Sequence, residues 1–262
     1  MLQGDSHITP SGGGAHTADQ LVEVLREQIA RLEGGRRPAD SPPVPSGCQG
    51  LDRLLPEGGF RRGTLVEWLV AGQANGGQTL ALIAARQACQ DAGVLVVLDE
   101  SREFYPPAAV RLGIALDRLI VVQASGMADN LWALDQSLRC PAVAAALAWP
   151  AKLDGRTFRR LQLAAEQGGG LGLLIRPESA RPEPSWAAVR LLVEPLPSPA
   201  SAAGRPAGRR LRIRLLRGHG IAGNGSIEVE IDDEASTVHL VPAWADSSGQ
   251  QAADSRQQAA AS

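Results

Sequence analysis

A glycine-rich turn between an apolar strand and a helix constrains this chain more than any other segment. Residues 63–79 read GTLVEWLVAGQANGGQT, an apolar run followed by glycines and then by the start of a helical pattern. From Gly72 through Gly77 to Thr79, the turn has the spacing of a phosphate-binding loop, G-x-x-x-x-G-K-[ST]. Glycines let backbone amides approach phosphate oxygens, and the N-terminus of the next helix also attracts anions. The turn therefore predicts a fold of the phosphate-binding-loop type.

The same turn differs from a working phosphate-binding loop at one position. Gln78 stands where the motif has lysine, so the turn lacks the cation that reaches the β- and γ-phosphates of a nucleotide. The sequence predicts the fold without its full chemistry: no cofactor is required, and binding of ATP without hydrolysis stays open. The residues of this degenerate phosphate loop are Gly72, Gly76, Gly77, Gln78 and Thr79.

Strand and helix patterns alternate along the middle of the chain. Residues 94–98, VLVVL, form a continuous apolar run, which is typical of a strand buried on both faces. Alternation with helices and short connections predicts an α/β fold with a doubly wound, mostly parallel sheet. After residue 184, strand patterns follow one another without helices, which predicts an antiparallel C-terminal edge. The predicted strands of that edge are residues 187–193, 210–216, 227–231 and 237–241.

Composition predicts one globular domain with extended ends. The 262 residues, 44% of them hydrophobic, can bury one substantial core. Both ends are rich in small and polar residues, a composition typical of disorder. The predicted organisation is a disordered N-terminus at 1–17, an amphipathic helix with a Pro-rich linker at 18–46, a core domain at 47–245 and a disordered tail at 246–262.

Charge and cysteine content narrow the classes of function. The formal net charge is −2, so nucleic-acid binding would need a local basic patch. The three cysteines are widely spaced and are predicted to be reduced thiols, and the four scattered histidines predict no metal site. The sequence has no secretion signal and no apolar run long enough to span a membrane. A cytoplasmic location is expected.

An amphipathic helix is predicted near the N-terminus, within DQLVEVLREQIARLEGG. Its apolar face carries Leu25, Ile29 and Leu32 at helical spacing. Two interpretations stay open. The helix packs on its own domain, or it docks on another protein from the far side of the Pro-rich linker.

Three arginines are a second candidate surface for contact with a partner or with DNA. Arg156, Arg159 and Arg160 are predicted to share one face of a helix over residues 155–167, with no acidic set nearby in the sequence. The alternative is an ordinary solvated helix face.

A third group of arginines alternates with apolar residues on one predicted strand. Acidic residues alternate similarly on the next strand, so antiparallel pairing would set opposite charges side by side. We therefore predict ion pairs there rather than a DNA-binding stripe. The residues are Arg210, Arg212 and Arg214 on one strand and Glu228, Glu230 and Asp232 on the other.

An ordered set of motifs covers the predicted core domain. In chain order they are LDRLLPEGG (51–59), GTLVE (63–67), FYPPAA (104–109), LWALDQSLRC (131–140), RRLQLAAE (159–166) and PSWA (184–187). With the glycine-rich turn, this set resembles the core of the RecA recombinases and most of all the ImuA family, RecA-like accessory proteins of bacterial translesion DNA synthesis. The resemblance implies a RecA-like fold for the core.

The chain departs from a RecA-type ATPase at three positions. Such enzymes use a phosphate-loop lysine, a glutamate two residues after the strand-end aspartate, and an acid at the end of another strand to hold magnesium through water. Here Gln78 replaces the lysine, Ser101 follows Asp99 at the glutamate position, and Trp149 replaces the acid. The missing groups are electrostatic elements of phosphoryl transfer. The chain is therefore not expected to be an enzyme.

The resemblance also implies a function and partners. The predicted function is that of a degenerate RecA-like adaptor in SOS-induced translesion synthesis. Its implied partners are an ImuB-type inactive Y-family polymerase and, through it, a DnaE-type error-prone polymerase and the sliding clamp. Residues 150–154 and 178–185, where RecA has DNA-binding loops, are short, so direct DNA binding is not expected. Self-association stays open, and the alternative functions are an ATP-dependent RecA-type recombinase or a SulA-like cell-division inhibitor.

Overall fold

Ten strands from the described residues form one sheet in the computed structural model of this chain. The described residues are 41–72, 76–90, 92–197, 208–218, 221–222, 225–232 and 237–241. They belong to the second of the chain's two compact units, Arg36–Ser262. The predicted N-terminal helix with Leu25, Ile29 and Leu32 and the predicted tail at 246–262 lie outside the described residues.

The elements follow the predicted alternation. The helices are α1 Gln49–Leu54, α2 Gly77–Ala88, α3 Pro106–Arg111, α4 Met127–Arg139 and α5 Gly155–Gly168. The strands among residues 41–197 are β1 Leu65–Val70, β2 Val94–Leu98, β3 Leu119–Val122, β4 Val143–Ala148, β5 Leu171–Pro177 and β6 Val189–Pro195. Those after it are β7 Arg209–Gly218, β8 Ile221–Ala222, β9 Ser226–Asp232 and β10 Thr237–Leu240. Short 3-10 turns lie at Leu116–Arg118 and Glu178–Ala180.

The sheet order confirms a RecA-like α/β architecture with antiparallel C-terminal strands. The order is β10-β9-β7-β6-β1-β5-β4-β2-β3, and β8 pairs with β7. Strand β1 pairs in parallel with both β5 and β6. Antiparallel pairing begins between β6 and β7, one strand later than the sequence predicted. Strand β6 has three consecutive buried residues, as most of the parallel strands do, so its pairing with β1 agrees with its burial pattern.

Alternate side chains of the parallel strands pack into two separate hydrophobic cores, one on each face of the sheet. Val66 and Trp68 of β1 pack with helix α2 on one face of the sheet. Leu65 lies in the other core, with apolar residues of α4 and α5. Burial on both faces explains the continuous apolar runs of β2 and β4. The first turn of α2 is thereby fixed at the carboxyl end of β1, where ligands of open parallel sheets bind.

Helix α4 begins at Met127 after Gly126, and Asn130 lies buried in its first turn. One boundary, the predicted start of the core domain at residue 47, differs from the observed packing. Val44 is buried and exchanges backbone hydrogen bonds with Phe60, so the packed part of the chain begins before residue 47. The Pro-rich composition of this segment predicts a linker, and the isolated β-bridge of Val44 has no local signal because it depends on Phe60, 16 residues later.

The predicted ion pairs between β7 and β9 are confirmed for Arg210 and Arg212, whereas Arg214 pairs with β6 instead. Arg212 lies opposite Glu228 in the register, and its Nη2 is 2.7 Å from Glu228 Oε1. Arg210 Nη2 is 3.3 Å from Glu228 Oε2, while Arg214 is 3.6 Å from Glu194 of β6. These cations are therefore used within the sheet.

The remaining compositional predictions concern cysteines, metals and membranes. Cys48, Cys89 and Cys140 are free thiols, as predicted; Cys48 and Cys89 are buried, and Cys140 is exposed. Among the described residues, no group of His, Cys, Asp and Glu has metal-ligand geometry. In the same residues, every helix is too short or too polar to cross a membrane.

Candidate functional site

A cleft of about 560 Å³ lies at the carboxyl ends of the parallel strands. Val70 and Ile175 at the ends of β1 and β5 form its floor, and the first turn of α2 forms one side. The structure brings three residues of the degenerate phosphate loop to this cleft, and side chains from later segments complete its wall. The lining residues are Val70, Gly76, Gln78, Thr79, Leu82, Glu103, Ala108, Leu112, Trp149, Ile175 and Arg209.

The glycine-rich turn packs tightly against the antiparallel part of the sheet. Gly76 has φ +75°, in the left-handed region, and precedes the first residue of α2. A Cβ at Gly76 would lie 2.5 Å from Leu211 Cδ1 of β7 and 3.1 Å from Ile231 Cδ1 of β9. Glycine is therefore required here both by backbone conformation and by the approach of Leu211.

Arg209 brings a cation to the turn that lacks its lysine. Its Nη2 donates a hydrogen bond of 3.2 Å to Thr79 Oγ1. In a working phosphate-binding loop, the hydroxyl at this position binds Mg²⁺. Sequence reasoning missed Arg209 because it is 130 residues away in the chain and reaches Thr79 only through the pairing of β7.

The strand-end aspartate has a structural role. Asp99 is buried, and its carboxylate accepts hydrogen bonds from the backbone amides of Glu103 at 3.0 Å and Phe104 at 3.2 Å. These bonds hold the turn after β2. Ser101 at the expected glutamate position is exposed and does not line the cleft.

Glu103 is an acidic residue of the cleft that sequence reasoning missed. The preceding residue, Arg102, has φ +59° and lies in the left-handed region, which few non-glycine residues adopt. This reversal carries the chain back over the cleft, where Glu103 lines the wall. No local pattern predicts a positive φ at an arginine, so the placement of Glu103 could not be foreseen.

Trp149 stands at the end of β4, where RecA-type enzymes have a magnesium-holding acid. Its ring lies 6.4 Å from the Phe104 ring, measured between centroids, and it lines the cleft. As predicted, an apolar ring occupies this wall. Among the described residues that line it, the cleft therefore has one acid, Glu103, and one cation, Arg209, on walls of mixed polar and apolar character.

A buried ionic network lies on the other face of β1. Glu67 is completely buried, and so is its partner Arg176 of β5, whose Nη1 donates to Glu67 Oε1 at 2.7 Å. The other carboxylate oxygen accepts from Ser185 Oγ at 2.8 Å and from Arg190 Nε at 2.6 Å. Glu67 thus has charged or polar donors on both oxygens, as a buried carboxylate requires.

The same network fixes the loops after β4 and β5, the two loops that the resemblance to RecA predicts at the positions of its DNA-binding loops. Arg176 donates to the backbone oxygens of Pro150 and Ala151 in the loop after β4. It also pairs with Glu183 in the loop after β5 at 2.5 Å. One buried guanidinium therefore holds the two loops together.

Arg217 extends the network to the antiparallel strands. Its Nη2 donates to the backbone oxygens of Ser185 at 2.8 Å and Ala187 at 2.5 Å. Burial lowers the pKa of the Arg217 guanidinium from its ordinary value, the positive charge of Arg190 lowers this pKa further, and Glu67 opposes both. Both residues that flank Trp186 are therefore bound to the sheet through their backbone.

The three predicted arginines of α5 have different surroundings. Arg156 is exposed. The Arg159 guanidinium lies 4.8 Å from the centre of the Trp186 ring. Arg160 Nε is 3.5 Å from Asp135 Oδ1 of α4, so the prediction that this group lacks an acidic partner is wrong for Arg160. The pairing is between helices and had no local sequence signal.

Asp154 caps the helix that carries these arginines. Its carboxylate accepts from the Thr157 amide at 2.9 Å and from the Thr157 hydroxyl at 2.8 Å. These hydrogen bonds lower the pKa of Asp154 below its ordinary value, with a smaller contribution from the positive charge of Arg156. The cap is therefore strongest when Asp154 is ionised.

An Asp154→Ala variant is expected to unfold at lower temperature than the parent at neutral pH. Because the folded-state pKa is the lower one, the stabilisation is present above the unfolded-state pKa and is lost as pH falls through the folded-state pKa. Thermal unfolding followed by circular dichroism, from neutral pH to below pH 3.8, should show the two proteins converging. A constant difference at all pH values would contradict the capping role.

The fold and the cleft together define a RecA-like α/β domain whose phosphate loop lacks its lysine. Comparison with known proteins agrees, because residues 23–147 match the RecA N-terminal domain. A RecA protein of Porphyromonas gingivalis is 30% identical over 136 residues, which is 48% of this chain and 40% of that protein. The ImuA protein of Caulobacter vibrioides is 36% identical over 91 residues, 34% of this chain and 37% of that protein.

The resemblance to RecA and ImuA proteins that the motifs predicted is thus confirmed. A mitochondrial DNA repair protein recA homolog of Dictyostelium discoideum is also similar, 35% identical over 96 residues, which is 37% of this chain and 21% of that protein. The chain spans 40% or less of the length of each of these three relatives. The chain is therefore similar to RecA and ImuA proteins over roughly a third to a half of its length.

Proposed function

We propose that this chain is a catalytically degenerate RecA-like adaptor in SOS-induced translesion DNA synthesis. The observation that carries the proposal is the composition of the cleft. It keeps the position of a nucleotide site, but Gln78 and Trp149 line it in place of a lysine and an acid. Ser101 lies outside it at the glutamate position.

The energetic cost of these replacements argues against turnover. Removing a single preorganised electrostatic group from an active site typically costs roughly 10²–10³ in rate, about 2.7–4 kcal/mol of transition-state stabilisation. Here three such groups are absent at once. Arg209 supplies a cation, but it is already hydrogen-bonded to Thr79, the residue that would bind Mg²⁺. A scaffold with these properties is suited to binding another protein rather than to phosphoryl transfer.

The loops support the same proposal. Both loops that correspond to the DNA-binding loops of RecA are short, and Arg176 ties them to the buried Glu67. Loops held in this way are poorly suited to reorganise around a DNA strand. We therefore propose contact with DNA through partner proteins.

The proposed partners follow from the similarity to ImuA. They are an ImuB-type inactive Y-family polymerase and, through it, a DnaE-type error-prone polymerase and the sliding clamp. The complex would operate in the cytoplasm during the response to DNA damage. The candidate contact surfaces are the predicted N-terminal helix, with Leu25, Ile29 and Leu32, and the arginine face of α5.

One observation favours a second candidate, an ATP-dependent RecA-type recombinase. Glu103 lines the cleft. It lies two residues after Ser101, which occupies the position of the water-activating glutamate. If this carboxylate activated water, turnover would depend on it. The ATPase measurement described in the Discussion distinguishes the two candidates.

Affinity capture with the ImuB-type protein encoded in the same genome tests the adaptor function. The full chain is expected to retain this protein, and a chain lacking residues 1–46 is expected to lose most of the binding if the N-terminal helix docks on the partner. Because residues 44 and 46 are buried, removing residues 1–46 could also damage the core. A second variant that lacks only residues 1–40 removes the helix and keeps these buried residues. Failure of the intact chain to bind would contradict the adaptor function.

A further inference from the structure

One surface of the described residues combines exposed apolar side chains with cations. Trp186 is 48% exposed and Leu163 of α5 is 44% exposed. Arg159 lies between them, because it stacks on Trp186 and is one helical turn before Leu163. Arg156, one turn earlier on the same helix face, is exposed. These four residues are called the Trp–Arg surface below.

The aromatic residue of this surface is held rigidly. Ser185 Oγ donates to the buried Glu67 and accepts from the Ala187 amide at 3.2 Å. The backbone oxygens of Ser185 and Ala187 both accept from Arg217. The backbone on either side of Trp186 is therefore bound to the core while its ring remains half exposed. Binding through Trp186 would need little further ordering of the chain, which favours affinity.

The acidic residues around the surface have their main contacts with other groups, although Asp154 also interacts with the charge of Arg156. Asp154 caps α5 through Thr157, and Asp135 contacts Arg139 and Arg160. Glu166 accepts a hydrogen bond from Gln162. Arg156 is exposed, and the half-buried Arg159 is held by Gln162 and the Trp186 ring without a carboxylate partner among the described residues. Tryptophan and arginine are among the residues that most often dominate binding energy at interfaces.

We propose that the Trp–Arg surface binds an acidic amphipathic segment of a protein partner. Carboxylates of the segment would pair with Arg156 and Arg159, and an apolar side chain would pack on Leu163 and the Trp186 ring. The proposal specifies a partner segment that carries both carboxylates and apolar side chains. It rests on the proposed adaptor function only because it requires a protein partner.

Two observations favour a protein segment over single-stranded nucleic acid. A base needs an aromatic face on which to stack, and Arg159 already covers one face of Trp186. Leu163 adds exposed apolar area that has no counterpart in a phosphate backbone. The surface is therefore suited to a ligand with both carboxylates and aliphatic groups.

Fluorescence anisotropy with the full chain tests the proposal. The probe is a labelled synthetic helical peptide with leucines on one face flanked by glutamates. A peptide with lysine at every glutamate position and an oligo-dT strand serve as competing ligands. The acidic peptide is expected to bind saturably, and Arg159→Glu is expected to weaken that binding at least about tenfold. Leu163→Ala should weaken binding without changing the charge.

Arg53→Glu is the matched control, because it makes the same charge change at an exposed position of α1 and should leave binding unchanged. Circular dichroism confirms that each variant is folded. Equal binding of the basic peptide, absence of saturable binding, or tighter binding of oligo-dT with the same Arg159 dependence would each overturn the proposal. If the peptide fails while partner capture succeeds, the adaptor function stands and uses another surface. If the peptide binds while capture fails, the surface stands and the adaptor function falls.

Discussion

The Glu67→Ala variant is expected to lose about 3–5 kcal/mol of its free energy of unfolding, because the change leaves two guanidinium groups without their buried counter-ion. Arg176 has no solvent-accessible surface and would keep only Glu183 as an ionic partner. Arg190 would lose its hydrogen bond to Glu67 as well. Urea unfolding followed by circular dichroism gives the difference directly, provided that both proteins unfold in one cooperative step.

Glu57→Ala provides the control for this measurement. Glu57 pairs with Arg61 four residues away, and both side chains are partly exposed. Such a surface pair contributes about 0–1 kcal/mol, so its loss should have a small effect. Equal destabilisation by the two substitutions would contradict the structural role of the buried network.

The purified chain is expected to hydrolyse ATP at least about 10⁴-fold more slowly than a RecA protein measured beside it, because three electrostatic groups of the reaction are absent together. Gln78→Lys alone should not restore turnover. It returns one charge, but neither the glutamate at position 101 nor the acid at position 149, and it places lysine near the Arg209–Thr79 hydrogen bond. The ATPase rate of both proteins is measured as phosphate release, with and without single-stranded DNA.

Contaminating ATPases are the main source of error in this assay, so the informative variants are those that alter the cleft. A measurable rate that disappears in Glu103→Gln or in Gln78→Ala would show that the cleft itself turns over ATP. That result would favour the recombinase over the adaptor. A background rate that is the same in the parent and both variants is the expected outcome.

The elements of this fold were predictable wherever their signal is local. The apolar run of β2 was assigned its exact range, and the helix capped by Asp154 was predicted within a residue of its end. Hydrophobic periodicity and a capping side chain are set by neighbours in the chain, and tertiary contacts here did not override them.

The candidate site was less predictable, because its chemistry comes from residues that meet only in the folded chain. Arg209 reaches Thr79 across 130 residues. Glu103 enters the cleft because Arg102 adopts a positive φ. Arg160 meets Asp135 across two helices. The glycine-rich turn could be located from its spacing, but the charges around it could not.

The position of Arg176 has a consequence for engineering. A longer, mobile segment could be grafted after β4 or β5 to create a DNA-binding loop. Such a graft would have to accommodate the Arg176 guanidinium, whose partners include residues of both loops and the carboxylate of Glu67. Grafting one segment alone would remove hydrogen bonds from the Arg176 guanidinium, which has no solvent-accessible surface. A successful conversion of this scaffold must therefore redesign the two segments and the Glu67–Arg176 pair as a single unit.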